Sequence, residues 1–115
     1  MAKGDYLGEF EQLVLWALVR LRENGYGMTI RRELEERTGR RVSIGAVYAT
    51  LDRLEAKGFV RSWPGEATPE RGGRARRYFA LTAAGAEALN GARATLTALW
   101  RGQVPARGVL KAVAL

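Results

Sequence analysis

Residues 43–58, SIGAVYATLDRLEAKG, decide how this chain folds. Ser43 is a good helix N-cap, and Gly58 is typical of the position just after a helix, so the stretch predicts a helix from Ile44 to Lys57. Its apolar residues recur at helical spacing, which indicates that one side is buried. The predicted buried stripe is Ile44, Val47, Tyr48, Leu51 and Leu54.

The other side of this helix carries small and polar residues. They are Ser43, Gly45, Ala46, Ala49, Thr50 and Arg53. Small residues let a helix sink into a DNA major groove, which is about 12 Å wide. Ser43 and Thr50 can bond phosphates or base edges, and Arg53 can reach a phosphate or a guanine. A merely solvated face would have the same composition, so this face alone does not establish DNA binding.

Two helices are predicted on the N-terminal side of this stretch. The first is Phe10–Leu21, which the left-handed-tolerant pair Asn24-Gly25 is expected to end, and the second runs from about Met28 to Thr38. The first helix is apolar nearly all round, which is typical of a helix buried on two sides. The second side needs a partner subunit or another long helix, and we expect it to meet a partner subunit. Its residues are Leu15, Trp16 and Val19.

After Gly58 the pattern changes to a β-hairpin. Phe59–Trp63 and Arg74–Leu81 are predicted strands around a loop rich in Pro, Gly and charge. Gly72-Gly73 would let the hairpin tip approach a sugar–phosphate backbone closely. Arginine suits phosphates and narrow minor grooves, and the hairpin is rich in it. The arginines that we expect to contact DNA are Arg71, Arg74 and Arg76.

Thr82 is predicted to cap a fourth helix that runs to about Arg101. Its apolar stripe, which we expect to complete a homodimer interface, consists of Leu89, Leu96, Leu99 and Trp100. Trp16 and Trp100 would then meet across the dimer. They are interpreted either as interface core or as the contacts of a small aromatic effector, because tryptophan stacks on planar ligands.

Composition excludes several classes of function. The formal net charge is +7, which favours a polyanionic partner. There is no cysteine and no histidine, so disulfides, thiolate chemistry and the usual zinc ligands are excluded, and we expect neither an enzyme nor a cofactor. No apolar run approaches the roughly 18 residues of a membrane span, and no signal peptide is evident. We therefore expect a cytoplasmic protein that does not contact a membrane.

The predicted fold is mainly α with a small β-hairpin: a winged helix-turn-helix of three helices and a two-stranded wing, plus a C-terminal dimerisation helix. The predicted boundaries are 6–81 for the DNA-binding domain and 82–103 for the dimerisation helix. The pattern leaves open whether the short tail, 104–115, is ordered. A basic winged-helix module that binds RNA or a protein partner remains the alternative.

The chain resembles the PadR-type transcriptional regulators over about residues 6–101. The matching segments are Leu13–Leu15, Gly25–Gly27, Ser43–Gly58, Arg76–Phe79 and the Leu81-Thr82-x-x-Gly85 junction. The resemblance implies a dimeric repressor on a pseudo-palindromic operator, with the third helix in the major groove and the wing on the backbone or minor groove. It also implies that the C-terminal helix crosses to the partner's first helix. Tyr48 matches the family's tyrosine in the third helix.

Overall fold

The computed structural model describes residues 6–67 and 75–102, and it has the predicted order of elements. Within these residues, four α-helices and one antiparallel hairpin form the fold, so the mainly helical winged-helix prediction is confirmed. The elements are α1 (Glu9–Leu21), α2 (Gly27–Thr38), α3 (Ile44–Ala56), β1 (Val60–Ala67), β2 (Ala75–Leu81) and α4 (Ala83–Trp100). The predicted tail, 104–115, lies outside the described residues.

Local side-chain chemistry sets the starts of α3 and α4. The Ser43 hydroxyl accepts a hydrogen bond from the Ala46 N–H at 3.0 Å, and the Thr82 hydroxyl accepts one from the Gly85 N–H at 3.0 Å. Each bond satisfies a backbone donor that has no partner within its helix. Gly58 follows α3 with a φ of 79°, a conformation that glycine adopts without strain. These predicted helix boundaries are therefore confirmed.

The end of α1 differs from the prediction. The residue with a positive φ is Arg22, at 54°, which is also the first residue of a 3-10 turn over Arg22–Asn24. Gly25, by contrast, has a φ of −91°. Gly25 is required for space and not for its backbone angle, because a Cβ there would press on Leu18 and on the carbonyl of Phe79. The Phe79 N–H donates to the Gly25 carbonyl at 2.8 Å, which ties β2 to the segment before α2.

The hydrophobic core lies between α1, α2 and α3, and α4 and the base of the hairpin close it. Its larger fully buried side chains are Phe79, Leu15, Ile30, Leu51, Leu54, Val14 and Val47. Leu15 and Leu89 were predicted at a dimer interface, but they are only 0% and 3% exposed within the single chain. That part of the interface prediction is wrong, because both side chains belong to the hydrophobic core of the single chain, in which α4 packs on α1.

The hairpin is longer than its apolar pattern predicted. β1 continues from Val60 through Pro64 to Ala67, with an irregular register between Pro64 and Ala67. In a sheet of two strands each strand is an edge, so Pro64 can lie in β1 with its missing N–H directed away from β2. Trp63 stacks on Tyr78 across the strands, with ring centroids 6.0 Å apart.

Candidate nucleic-acid interface

The exposed face of α3 is narrow, and small residues dominate its centre. The exposed residues are Gly45, Ala46, Tyr48, Ala49, Asp52, Arg53 and Ala56. At 100° per residue, Gly45, Ala49, Asp52 and Ala56 fall along one line of the helix, with Tyr48 and Arg53 on either side of it. Three of those four central residues are glycine or alanine. Together with the exposed N-cap Ser43, this face can therefore approach a flat or grooved partner closely.

Two residues of α3 lie on the opposite side of the helix from the one predicted: Thr50 is buried and Tyr48 is exposed. Thr50 is 1% exposed and cannot reach a base, whereas Tyr48 is 38% exposed. Val47, Thr50, Leu51 and Leu54 follow the spacing i, i+3, i+4, i+7, so Thr50 completes the buried stripe in place of Tyr48. The predicted DNA contact at Thr50 is therefore wrong.

Tyr48 packs against the start of α2. Its ring occupies the space next to Gly27, and a Cβ at Gly27 would collide with the phenol. One side of the ring is thereby fixed against the α2 backbone, while the rest of the ring stays exposed beside the centre of α3. Tyr48 is thus a rigid, partly exposed aromatic group on the surface that the sequence analysis assigned to DNA.

Arg53 is exposed, but it is held by groups of its own chain. One of its terminal nitrogens donates to the Thr50 hydroxyl at 3.0 Å, and its Nε lies 3.9 Å from the buried carboxylate of Glu11. Glu11 also accepts from the Lys57 ammonium at 2.9 Å and from the Gly8 N–H at 2.8 Å. Burial raises the pKa of Glu11, but these hydrogen bonds and charges outweigh it and lower the pKa below its ordinary value. The Glu11 carboxylate therefore binds Lys57 at the end of α3 and lies beside the Nε of Arg53.

The turn between α2 and α3 adds two arginines that the sequence analysis did not use. Arg40 forms a two-bond ion pair with Glu9, at 2.8 and 3.1 Å. Arg41 is exposed, and among the described residues no carboxylate pairs with it. Arg41 lies two residues before the Ser43 cap, so it borders the same face as the start of α3. An arginine pair just before a helix cap is the sequence signal that would have identified it.

The hairpin is fixed to α3 and α2 by polar and aromatic contacts. The Glu55 carboxylate accepts from the Ser62 hydroxyl at 2.6 Å and from Arg77 at 3.4 Å, so the end of α3 binds both strands. The Arg76 guanidinium lies 4.4 Å above the ring of Tyr26, and Tyr26 meets Tyr78 edge-on with centroids 5.5 Å apart. The basic hairpin therefore has a defined orientation relative to the exposed face of α3.

The predicted hairpin contacts are only partly visible. Arg76 is half-buried on Tyr26, with its Nε buried and without a hydrogen-bond partner in the described part of the chain. Arg71 and Arg74 lie outside the described residues. Residues 6–67 and 75–102 hold no cluster of three acidic side chains that could bind a metal ion. In the same residues no helix is long and apolar enough to span a membrane.

The C-terminal half of α4 presents an apolar surface. Leu96, Leu99 and Trp100 are 56%, 80% and 51% exposed. On α1, Trp16 and Val19 are also exposed, at 39% and 44%. Among the described residues, these five of the seven predicted interface residues thus remain exposed, unlike Leu15 and Leu89.

A sequence profile described as the transcriptional regulator PadR-like family matches residues 14–91, which include α2, α3, the hairpin and the start of α4. The chain belongs to the PadR-like family. It is therefore a DNA-binding transcriptional regulator, and members of this family are not enzymes. The matched residues include all of α3 and the hydrogen bonds from Ser62 and Arg77 of the hairpin to Glu55.

Solved structures agree with this family. H. salinarum RosR is 27% identical, with 94% of this chain and 90% of that chain covered and a TM-score of 0.65. A PadR family transcription regulator from hypervirulent Clostridium difficile is 26% identical, with 82% and 88% covered and a TM-score of 0.64. A PadR family regulator from Eggerthella lenta is 26% identical, with 82% and 81% covered and a TM-score of 0.65. No curated protein sequence matches the chain.

Proposed function

We propose that this PadR-like protein is a dimeric repressor that binds a pseudo-palindromic operator, with α3 in the major groove and the wing on the backbone or minor groove. The observation that carries the proposal is the exposed line of small residues along α3. Glycine and alanine at Gly45, Ala46 and Ala49 let the helix backbone approach base edges, and Ser43 supplies a hydroxyl for a phosphate.

Charge supports the placement of the wing. Arg76 gives the hairpin a cation that can neutralise a phosphate. Arg71 and Arg74, which are also predicted to contact DNA, add two more. The bonds from Glu55 to Ser62 and Arg77 hold this hairpin beside the end of α3. A protein placed in this way would engage the major groove with α3 and the adjacent backbone with the wing at the same time.

The apolar surface of α4 supports a dimer. Leu96, Leu99 and Trp100 would cost free energy if they remained in water, at about 25 cal/mol for each Å² that a partner could cover. A second copy that covers them with Trp16 and Val19 would bring two α3 helices onto one duplex. Half-sites about 34 Å apart would then place both helices on the same side of the DNA.

The same surface is the proposed place of an effector. Trp16 and Trp100 are both partly exposed on the helices that would form the dimer, and their rings can stack on a flat aromatic molecule. A ligand there would change the angle between subunits and hence the spacing of the two α3 helices. Titration of planar aromatic compounds against wild type and Trp100→Leu, read by tryptophan fluorescence and operator affinity, tests this.

The experiment that tests the proposed function is selection of bound duplexes from a random DNA pool, followed by affinity measurements over a range of salt. The expected product is a sequence with two-fold symmetry, and log K should fall with log salt by about 0.9 per phosphate contact. Arg71→Ala with Arg74→Ala should weaken binding to all duplexes and flatten that slope. Arg32→Ala, on the exposed side of α2 opposite Ile30, is the matched control.

Three results would contradict the proposal. They are a pool without enrichment, tighter binding to structured RNA than to any duplex, and a wing double variant that binds as tightly as wild type. The repressor role is tested separately, with a reporter gene behind the selected operator. Expression should fall when the protein is present and recover when α3 is altered at Ala49.

A further inference from the structure

Asp52 is an unexpected residue on the exposed face of α3. It is exposed, and it lies within about 60° of Gly45, Ala49 and Ala56 around the helix axis. Those three side chains end at or before Cβ, so the Asp52 carboxylate is the group that projects farthest from the centre of this face. A negative charge here would oppose DNA in a protein whose net charge is +7.

No contact within the described residues explains why Asp52 is present. Its carboxylate forms no ion pair and no hydrogen bond with residues 6–67 or 75–102. The adjacent cation, Arg53, is directed to Thr50 and Glu11 instead. Helix stability does not explain it either, because aspartate is a poor helix former and Asp52 lies toward the negative, C-terminal end of α3.

From this placement we infer that Asp52 is a specificity-determining residue, which selects cytosine in each half-site by accepting a hydrogen bond from its N4 amino group. The inference rests on the proposed insertion of α3 into the major groove. There, guanine presents only acceptors, thymine presents an acceptor and a methyl group, and adenine presents its donor next to the N7 acceptor. Cytosine presents a donor alone, so it is the base that a carboxylate meets without repulsion.

The carboxylate acts mainly by rejecting the other bases. A buried acceptor without a partner costs the full desolvation penalty, and a charged one costs more than a neutral one. Asp52 would therefore lower affinity for every sequence that lacks cytosine at its position, and lower non-specific affinity as well. The small neighbours Gly45 and Ala49 make no such demand, so discrimination at this point of the helix depends on Asp52.

The test compares wild type, Asp52→Ala and Asp52→Asn by selection from a random duplex pool and by affinities for single-base variants of the selected operator. Glu87→Ala removes the same charge from α4, on the side opposite Leu96, and is the matched control. Wild type should select cytosine at one position of each half-site and lose about fivefold or more in affinity when it is replaced. Asp52→Ala should lose this preference while binding non-specific duplex more tightly. Asp52→Asn should move the preference to adenine, which asparagine recognises through N6 and N7.

The outcomes separate this inference from the proposed function. If Asp52→Ala binds all duplexes more tightly and keeps every base preference of wild type, Asp52 only repels DNA and the inference is wrong. If Glu87→Ala reproduces the changes of Asp52→Ala, the effect is one of net charge and the inference is wrong. If wild type itself enriches no duplex, the proposed function fails first. Because Asp52 is exposed and makes no described contact, both variants should unfold at the wild-type temperature or slightly above it, which thermal denaturation checks.

Discussion

α3 and α4 are both amphipathic, but their free faces differ in chemistry. α3 exposes glycine, alanine and a few polar groups, whereas the last turns of α4 expose Leu96, Leu99 and Trp100. Hydrogen bonds also stabilise both ends of α3, through the Ser43 cap at its start and through Glu11 and Glu55 at its end. α4 is anchored mainly in its first two turns, where Gly85, Ala88 and Leu89 are buried. A fixed polar face suits recognition of DNA, and an apolar free end suits a second protein copy.

The largest effect is expected from making the free end of α4 polar. Leu96→Glu with Leu99→Glu should leave the fold intact, since both side chains are largely exposed, but should prevent dimerisation through α4. Without the second half-site, operator affinity should fall by about 4 kcal/mol, or about a thousandfold. Light scattering and fluorescence anisotropy measure the two effects. Ala94→Glu, roughly opposite Leu96 on the helix, should change neither. A double variant that stays dimeric would show that the apolar end of α4 is not the interface.

The second prediction concerns the anchored end of α4. A Cβ at Gly85 would collide with the backbone carbonyl of Phe59, which cannot rotate away because it also accepts from the Thr82 N–H at 3.1 Å. Gly85→Ala should therefore lower the free energy of unfolding by about 3 kcal/mol. Gly91→Ala, six residues along the same helix, meets no atom within 4 Å and should raise it by about 0.5–1 kcal/mol. Urea denaturation measures the free energy of unfolding of both variants. Equal stabilities would contradict the conclusion that the first turn of α4 is tightly packed and the helix near Gly91 is not.

The third prediction concerns the polar anchoring of α3. Glu11→Gln keeps the shape but removes the charge that accepts from Lys57 at 2.9 and 3.1 Å, which should cost about 2 kcal/mol of folding stability at neutral pH. Because the pKa of Glu11 is lowered in the folded chain, the ionised carboxylate stabilises the fold above about pH 4.5. That contribution is lost as the pH falls through the folded pKa.

Chemical denaturation between pH 3 and pH 7 measures this third effect. Acid should destabilise wild type more than Glu11→Gln, because only wild type has a carboxylate at position 11 to protonate. Glu36→Gln, which changes an exposed glutamate of α2 that has no ion partner among the described residues, should retain the wild-type profile. If Glu11→Gln and wild type lose stability in parallel below pH 4.5, Glu11 is not the group responsible.

Sequence patterns predicted what depends on near neighbours and missed what depends on distant ones. The caps at Ser43 and Thr82 follow from one side chain and the next three residues, and both are present. Thr50 and Tyr48 lie near the edges of the buried stripe, where periodicity alone does not decide. Tyr48 lies away from the buried stripe because its ring packs into the space next to Gly27 of α2.

The interface residues show the same limit. A helix that is apolar nearly all round needs a second apolar partner, but its sequence does not say whether that partner is in the same chain. For Leu15 the partner is in the chain, whereas Trp16 and Val19 stay partly exposed among the described residues. One acidic residue on a basic protein has no periodic signal, so the sequence does not distinguish Asp52 from other surface carboxylates. Its significance depends on the exposed line of α3, on which it lies.

The smallest effect is expected at the contact between the wing and α2, where Arg76 lies over Tyr26 at 4.4 Å. Arg76 has two possible contributions, a cation–π contact that orients the wing and a phosphate contact predicted from the sequence. Tyr26→Leu removes the cation–π contact and also the edge-on contact with Tyr78, and it leaves the phosphate contact, so it should cost about 1.5 kcal/mol of stability and leave the salt slope of DNA binding unchanged. Arg76→Ala removes the cation–π contact and the phosphate contact, so it should cost about 0.5–1 kcal/mol of stability and also flatten the slope by about 0.9. Tyr26→Phe keeps the ring and should behave as wild type in both measurements. If Arg76→Ala and Tyr26→Leu have the same salt slope, Arg76 positions the wing without touching DNA, and the phosphate contacts of the hairpin belong to other arginines.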